Sequence, residues 1–311
     1  MNTLHDYNLL TEFTAVGSGS ARWCFAEKDG EEFFIKEFLS PVYPSEERKM
    51  DAAHREKLIG ICNRFWSRKE RLYEALRRLN NGNIVTIDDF FLDNTKFYSV
   101  CRKIEGADIS CDQVYTLPSE SRLIIMRALV HCLKKLDQEH IVHADMKPDN
   151  VMIKRTDSGF YTIKLIDFDN SFFEDDLPED AEQIGGDPVY LAPETMLLMS
   201  GEDCAIDHKI DIFALGIMFH QFWTGSLPQI ESEEEWYIHE GVLEGDRLIL
   251  NNEIPTILSD LIKRMLTLKA EVRPDYGEIF AALNELSGRR GETAESPQTK
   301  KRRFLRPCGN L

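Results

Sequence analysis

The sequence predicts an α+β fold in two unequal lobes, a small β-rich lobe carrying one long helix and then a larger, mainly α lobe. Three observations predict it. Residues 7–104 alternate short apolar runs with turn signals, one long stretch among them has helical periodicity, and from residue 119 onward helical periodicity dominates. In chain order, strand-like runs cover 13–16, 22–28, 33–38, 85–92 and 97–102. Asp29-Gly30 and Asp93-Asn94 sit where hairpins would close, since these residue types tolerate positive φ. Residues 49–79 form the long helix, with Leu58, Ile61, Phe65, Leu72, Leu76 and Leu79 along one face. Further helices are expected over 123–138, 206–224, 255–268 and 276–286.

Composition bounds the function. With 42% hydrophobic and 29% charged residues, the 311-residue chain can bury a sizeable core, so chain-wide disorder is excluded. No apolar stretch reaches the ~20 residues of a membrane span, so no membrane contact is expected. The first residues lack a basic segment followed by an apolar one, which predicts a cytoplasmic location. The seven cysteines are scattered and never form a C-x-x-C pair, so reduced thiols are expected rather than a disulfide framework or a zinc site. The net charge of −17 is uneven: residues 287–311 carry +5 and the rest −22. An acidic body argues against nucleic acid as a ligand, because phosphate contacts need clustered cations. A domain over 7–286 is therefore expected, its lobes meeting near residues 104 and 105, with 287–311 as a basic, disordered tail.

The chemistry concentrates in His143-Ala144-Asp145-Met146-Lys147-Pro148-Asp149-Asn150 and in Lys164-Leu165-Ile166-Asp167-Phe168-Asp169. An Asp, a Lys two residues later and an Asn five residues later can orient a hydroxyl, neutralise a phosphoryl group and hold a divalent ion. Asp167, ending a β-type run, adds a second hard oxygen ligand. These segments resemble the catalytic loop and metal loop of the protein kinase family, which implies the bilobal protein-kinase-like fold.

The resemblance covers residues 7 to 286 and implies roles for further positions. The glycine-rich loop would be Val16-Gly17-Ser18-Gly19, with Val16 and Cys24 above the adenine ring and Met152 below it. Lys36 in Phe33-Phe34-Ile35-Lys36 would bind the ATP phosphates. Cys101 would be the gatekeeper, the backbone of Arg102 and Ile104 would pair with the adenine edge, and Asp108 would reach the ribose. Asp145 and Lys147 would be catalytic, and Asn150 and Asp167 would hold Mg2+. Glu194 of Ala192-Pro193-Glu194 would pair with Arg273, and Asp211 would bond the catalytic-loop backbone.

Several positions depart from the family's pattern. Arg22 replaces the third glycine, where it stiffens the loop or turns its cation on phosphate. Ala144 replaces the Arg that receives activation-loop phosphate. Asp169 replaces the metal-loop glycine and its easy positive φ. From 167 to 194 only Ser171 and Tyr190 offer hydroxyls, so activation by loop phosphorylation is not expected. The helix glutamate that should pair with Lys36 is missing from its ungapped position, which Leu72 occupies, and Glu56, Glu70 and Glu74 remain as candidates.

Three functions fit these residues. The resemblance implies a Mg-dependent Ser/Thr protein kinase using ATP and acting on protein substrates, with Asp187 favouring basic residues near the acceptor; the charge contrast between body and tail adds the chain's own tail, with Thr299, as an internal substrate or inhibitor. A pseudokinase scaffold gains from the missing glutamate, Arg22 and Asp169. A small-molecule kinase of the aminoglycoside or choline type gains from Asp169 but loses on Lys147-Pro148, Glu194 and Arg273.

Overall fold

Period-two alternation in the first lobe produces one antiparallel sheet. Its strands are β1 (Thr3–Leu4), β2 (Tyr7–Leu9), β3 (Ala21–Lys28) and β4 (Glu31–Phe38), then, after helix α1 (Ala52–Leu79), β5 (Asp89–Asp93) and β6 (Lys96–Arg102). They lie in the order β1-β2-β3-β4-β6-β5. This computed structural model describes residues 3–15, 21–46, 49–79, 82–178, 184–232 and 237–293. The β3–β4 turn places Asp29 and Gly30 at φ 54° and 84°, the conformation that Asp-Gly supplies cheaply.

Register decides what each strand residue faces, because residues directly opposite in an antiparallel pair lie on the same side. Trp23 pairs with Lys36, and Phe25 with Phe34; Lys36 and Phe34 in turn pair with Ser99 and Cys101, so these six share the inner face. Cys24 pairs with Ile35, and Ile35 with Val100, on the outer face. That outer face is not open to solvent. Leu4 and Tyr7, from the β1–β2 hairpin, bury it together with Cys24, Phe33, Ile35 and Val100. The sheet thus starts at Thr3, ahead of the residue 7 at which the sequence reading begins the lobe.

Helix α1 begins at Ala52 because Asp51 precedes it, its Oδ2 accepting the His54 N–H at 3.1 Å. Its buried residues are Cys62, Lys69, Leu72, Tyr73, Ala75 and Leu76, a stripe rotated from the one that the apolar residues suggest. Leu58 and Ile61 are only half-buried. The reason lies in what covers the helix. Its first half meets the small aromatic cluster of Phe38, Phe65 and Phe97, whereas its second half enters the core shared with the larger lobe.

The larger lobe comprises α2 (Ser119–Gln138), β7 (Ile141–Val142), β8 (Val151–Arg155), β9 (Tyr161–Leu165), β10 (Phe172–Phe173), α3 (Pro193–Met199), α4 (Lys209–Thr224), β11 (Gln229–Ile230), α5 (Ile238–Glu244), β12 (Leu248–Ile249), α6 (Thr256–Met265) and α7 (Tyr276–Thr293). Hairpin β8–β9 and the pair β7–β10 frame the two chemical loops. Residues 83–85 lash the lobes together: Val85 N–H donates to Leu165 O at 2.9 Å, and Leu165 N–H to Asn83 O at 2.8 Å. Helix α4 is buried on nearly all sides. Its Gly216 admits α6 closely, since a Cβ there would stand 2.9 Å from Leu266 Cδ2. Helix α7 runs to Thr293, into the segment expected as tail, and 294–311 lie outside the described residues. Among the described residues no helix is long and apolar enough to cross a membrane.

One ion pair pins this lobe. Arg273 Nη1 and Nη2 donate to Glu194 Oε1 and Oε2 at 2.5 and 2.8 Å, and the Arg273 side chain is fully buried. Its remaining N–H groups reach the carbonyls of Thr267, Leu268 and Lys209. Removing the acid strands a desolvated guanidinium, so Glu194→Ala should cost about 3–5 kcal/mol of stability. Urea denaturation of the two proteins measures this directly; a loss under about 1 kcal/mol, the scale of a surface pair, would contradict the assignment.

Candidate active site

The loop between β7 and β8 is shaped from beneath by Asp211, at the start of α4. Its Oδ2 accepts the His143 N–H at 2.8 Å and its Oδ1 the Ala144 N–H at 2.9 Å. Burial pushes the Asp211 carboxyl above its ordinary range, and His143 together with the two N–H donors works against that rise. Ala144 takes φ 65°, a left-handed conformation that an alanine holds here because both neighbouring amides are tied down.

Asp145 follows, almost wholly buried. Lys147 Nζ lies 3.1 and 3.0 Å from its two carboxylate oxygens. Asn150 Nδ2 donates to the Asp145 carbonyl at 2.6 Å and to Oδ2 at 3.1 Å. The Asn150 nitrogen is therefore committed, and its amide oxygen is the donor left for a cation. His143 Nδ1 accepts the Asp145 N–H at 3.3 Å, so the ring carries its proton on Nε2 and donates it to Ile166 O at 3.2 Å. Its ring also lies 4.8 Å from that of Phe168. The two chemical loops are thus bonded to each other before any ligand arrives.

From above, Lys36 descends from the inner face of β4. Its Nζ donates to Asp169 Oδ2 at 2.7 Å and to Asp167 Oδ1 at 3.0 Å. Burial disfavours the Lys36 charge, but these two carboxylates outweigh burial and hold the ammonium well above its ordinary pKa. Asp167 behaves reciprocally: burial opposes ionisation, and Lys36 overrides it, keeping the carboxyl below the usual range. Asp167, not Asp169, takes the positive φ of 59°. Hence the aspartate in the glycine position carries no backbone strain of that kind. Lys36, Lys69, Leu72, Asp145, Asn150 and Asp167 line a cleft of about 910 Å3.

The adenine set is placed less uniformly. Cys101 is buried on the inner face opposite Phe34, and Met152 and Ile104 are half-buried. Arg102 N–H is engaged by Asp88 Oδ2 at 2.9 Å, and Asp108 Oδ2 accepts the Arg155 N–H at 2.6 Å. Val16, Gly17 and Gly19 lie outside the described residues. Cys24 is a correction. The register turns it to the outer face with Ile35, so it cannot stand over a nucleotide held beside Lys36; Trp23 is the β3 residue on that side. Arg22 is a second correction, since its guanidinium is bound to Glu37 on the outer face at 2.6 Å rather than aimed into the cleft.

The missing glutamate has a plain answer: Glu56, Glu70 and Glu74 are all exposed, and the carboxylates on Lys36 come from the metal loop. Sequence reading also overlooked Lys69, buried on α1, whose Nζ donates to Asp169 O at 2.6 Å. The available signal was its position, four residues after Phe65 and three before Leu72 on the apolar stripe. A roof of stacked Trp23 and Phe34 rings, 5.5 Å apart, was likewise unread.

The segment beyond β10 is held by arginines of α1. Arg68 Nη2 donates to Asp176 Oδ1 at 2.7 Å and to Leu177 O at 2.8 Å. Arg71 reaches Asp175 at 3.0 Å and lies 3.7 Å over the Phe173 ring. Ser171 Oγ donates to His143 O and Tyr190 OH to Gln221 Oε1, so both loop hydroxyls are engaged.

The protein kinase domain family matches residues 18–283. Serine/threonine-protein kinase unc-51 of Caenorhabditis elegans is 26% identical over 82% of this chain and 31% of its own length. Serine/threonine-protein kinase ULK3 of Xenopus laevis is 27% identical over 68% of this chain and 44% of its own. Serine/threonine-protein kinase Nek2 of Mus musculus is 31% identical over 66% of this chain and 47% of its own. The chain thus spans less than half the length of these curated relatives.

The Asp211 bonds make a test of the loop's support. In Asp211→Asn one acceptor oxygen becomes an NH2 facing a buried N–H, so one donor loses its partner. The expected cost is about 1–3 kcal/mol, read from the shift in urea midpoint, and an unshifted midpoint would show that the loop holds its shape without this carboxylate.

Proposed function

Because the chain belongs to the protein kinase family, we propose that it transfers the γ-phosphoryl group of ATP to Ser or Thr hydroxyls of protein substrates. The observation that carries this reading is the Asp145 carboxylate, held by Lys147 and Asn150 and facing the same cleft as Lys36 and Asp167.

The substrate hydroxyl loses its proton to Asp145 as its oxygen bonds to the γ-phosphorus, and the bond to the β–γ bridging oxygen breaks toward ADP. Lys147 sits within reach of that transfer and offsets charge on the moving phosphoryl group. Lys36 holds the phosphates of ATP, with Val16, Gly17 and Gly19 as the glycine-loop contacts. The backbone of Arg102 and Ile104 meets the adenine edge beside Cys101, with Met152 below and Trp23 and Phe34 above. Asp108 reaches the ribose through the oxygen that Arg155 does not use.

Asn150 and Asp167 would hold a divalent ion. The donor set fits a hard cation, since Asn150 offers its amide oxygen and Asp167 has only Oδ1 committed to Lys36 and the Asp169 amide. When bound, such an ion, Mg2+ by its oxygen preference, neutralises phosphate charge. The set lacks the thiolates and imidazoles that zinc favours.

The protein substrate is supported by the Glu194 to Arg273 frame, which the small-molecule kinase reading leaves without a role. Asp187 and Asp149 line the cleft and favour basic residues beside the acceptor. The basic tail, with Thr299, is one such segment within the chain. A cytoplasmic setting is supported by the buried free thiols of Cys24, Cys62, Cys101, Cys111 and Cys132.

Asp145→Asn should bind Mg-ATP within about threefold of the parent, while its turnover falls by at least the ~10²-fold of a lost general base. Nucleotide titration and phosphate transfer to a basic peptide library measure the two separately. Retained turnover would remove Asp145 from its role, and a parent that binds ATP but phosphorylates nothing would favour the scaffold reading.

Activation-loop phosphate should be unnecessary. Arg68 and Arg71 are already occupied by Asp176 and Asp175, and Ala144 offers no guanidinium. Treatment with a broad phosphatase should leave the rate within about twofold; a tenfold fall, ~1.4 kcal/mol, would overturn this.

A further inference from the structure

Lys36 is buried to 12% exposure, and its ammonium needs a carboxylate that stays with it whatever else enters the cleft. Asp167 serves poorly as that partner, because it is also the metal-loop aspartate whose second oxygen would be given to a hard cation. The helix supplies none: Glu56, Glu70 and Glu74 are exposed, and α1 instead presents Lys69 and Leu72 to the cleft. Asp169 Oδ2, at 2.7 Å, is the nearer of the two acids and only 18% exposed.

Lys69 is the second half of the arrangement. It is buried, 5.7 and 5.9 Å from the Phe38 and Phe65 rings, and its Nζ donates to the backbone oxygen of Asp169 at 2.6 Å. Burial lowers its pKa, the Asp169 charge opposes that, and nearby Lys36 adds to it. Two carboxylates, those of Asp169 and Asp167, thus meet Lys36, while Lys69 holds the backbone of Asp169. Removing the Asp169 carboxylate leaves the Lys36 ammonium with the metal-loop acid alone.

We propose that Asp169 is the positioning residue that holds Lys36 toward the nucleotide phosphates, and that Lys69 of α1 anchors Asp169 in turn. Acid and cation have exchanged places: the carboxylate that the family resemblance expects on the helix sits in the metal loop, and the helix carries a lysine. This rests on the kinase reading for the identity of the ligand, yet it can be read from binding without turnover. Lys36 contacts phosphate and not base, so the effect should appear with ADP and be absent with adenosine.

The test uses the full chain and four variants: Asp169→Asn, Lys69→Met, Lys69→Glu, and Lys69→Glu combined with Asp169→Gly. Fluorescence titration with a methylanthraniloyl-labelled ADP, in EDTA and again in magnesium, gives phosphate-dependent affinity. Competition with adenosine gives base affinity. Asp169→Asn should weaken ADP at least fivefold in both buffers and leave adenosine within twofold. Lys69→Met should weaken ADP less, in the same pattern. Lys69→Glu alone should lose at least tenfold, and adding Asp169→Gly should restore binding to within threefold of the parent, because the acid then stands on the helix. If Lys69→Glu does not fold, the Asp169→Asn comparison decides, with melting temperature as its check. A loss confined to magnesium would make Asp169 a metal ligand instead and overturn the proposal. So would parent-like ADP affinity in Asp169→Asn, equal losses for ADP and adenosine, or a foldable double variant no better than Lys69→Glu alone. A parent that binds ADP but transfers no phosphate refutes the kinase reading alone.

Discussion

A lysine ammonium on the inner face of a sheet cannot be left unmatched, and the arrangement of the cleft follows from that of Lys36. Strand β4 has to present it on the side of Trp23 and Ser99, which sets the register of β3 and β6. The metal loop has to bring Asp167 and Asp169 within 3 Å, which requires the left-handed turn at Asp167 and the close seating of Phe168 against His143. His143 in turn bonds Asp145 and Asp211. One charge in the small lobe is thereby linked, through hydrogen bonds and the contact of the Phe168 and His143 rings, to Asp145 and to the buried helix beneath it.

Much of this was legible before any coordinates, and the legible part has a physical pattern. His143 to Asn150 and Asp167 to Asp169 are local motifs whose residues reach each other over a few bonds, so spacing alone nearly determines their geometry. The Glu194 to Arg273 pair spans the lobe, 79 residues apart, and was legible only through the resemblance to the protein kinase family. The longer strands and helices were read because alternation and 3.6-residue periodicity are properties of the chain itself, whereas of 13–16 the described residues form only an isolated bridge at Thr14, α7 runs on to Thr293, and the short elements β1, β2, α3 and α5 went unread.

What escaped depended on phase and on neighbours. A strand shows its period in sequence but not which parity faces inward, and counting from the glycine loop chose Cys24 where the register places Trp23 on the Lys36 side. In α1, apolar residues alone suggested a stripe through Leu58 and Ile61. The burial of Lys69 depends on Asp169, some hundred residues away, and no window along the chain contains both. The glutamates of α1 share the same difficulty: they face solvent, and the carboxylates that meet Lys36 lie in the other lobe's loop.

The outer face of the small sheet bears on how this protein can be handled. Leu4 and Tyr7 fill the space over Cys24, Phe33 and Ile35, and Tyr7 packs edge-on against Phe33 with ring centroids 5.3 Å apart. An excision that starts at residue 7, a natural choice from motif boundaries, would drop Leu4 and the pairing that folds Tyr7 back onto the sheet. The strip so uncovered is apolar and lies over β3 and β4, the kind of exposed patch through which proteins aggregate. Solubility of a trimmed domain is thus decided on the side of the sheet away from the cleft, by a hairpin with no part in the chemistry.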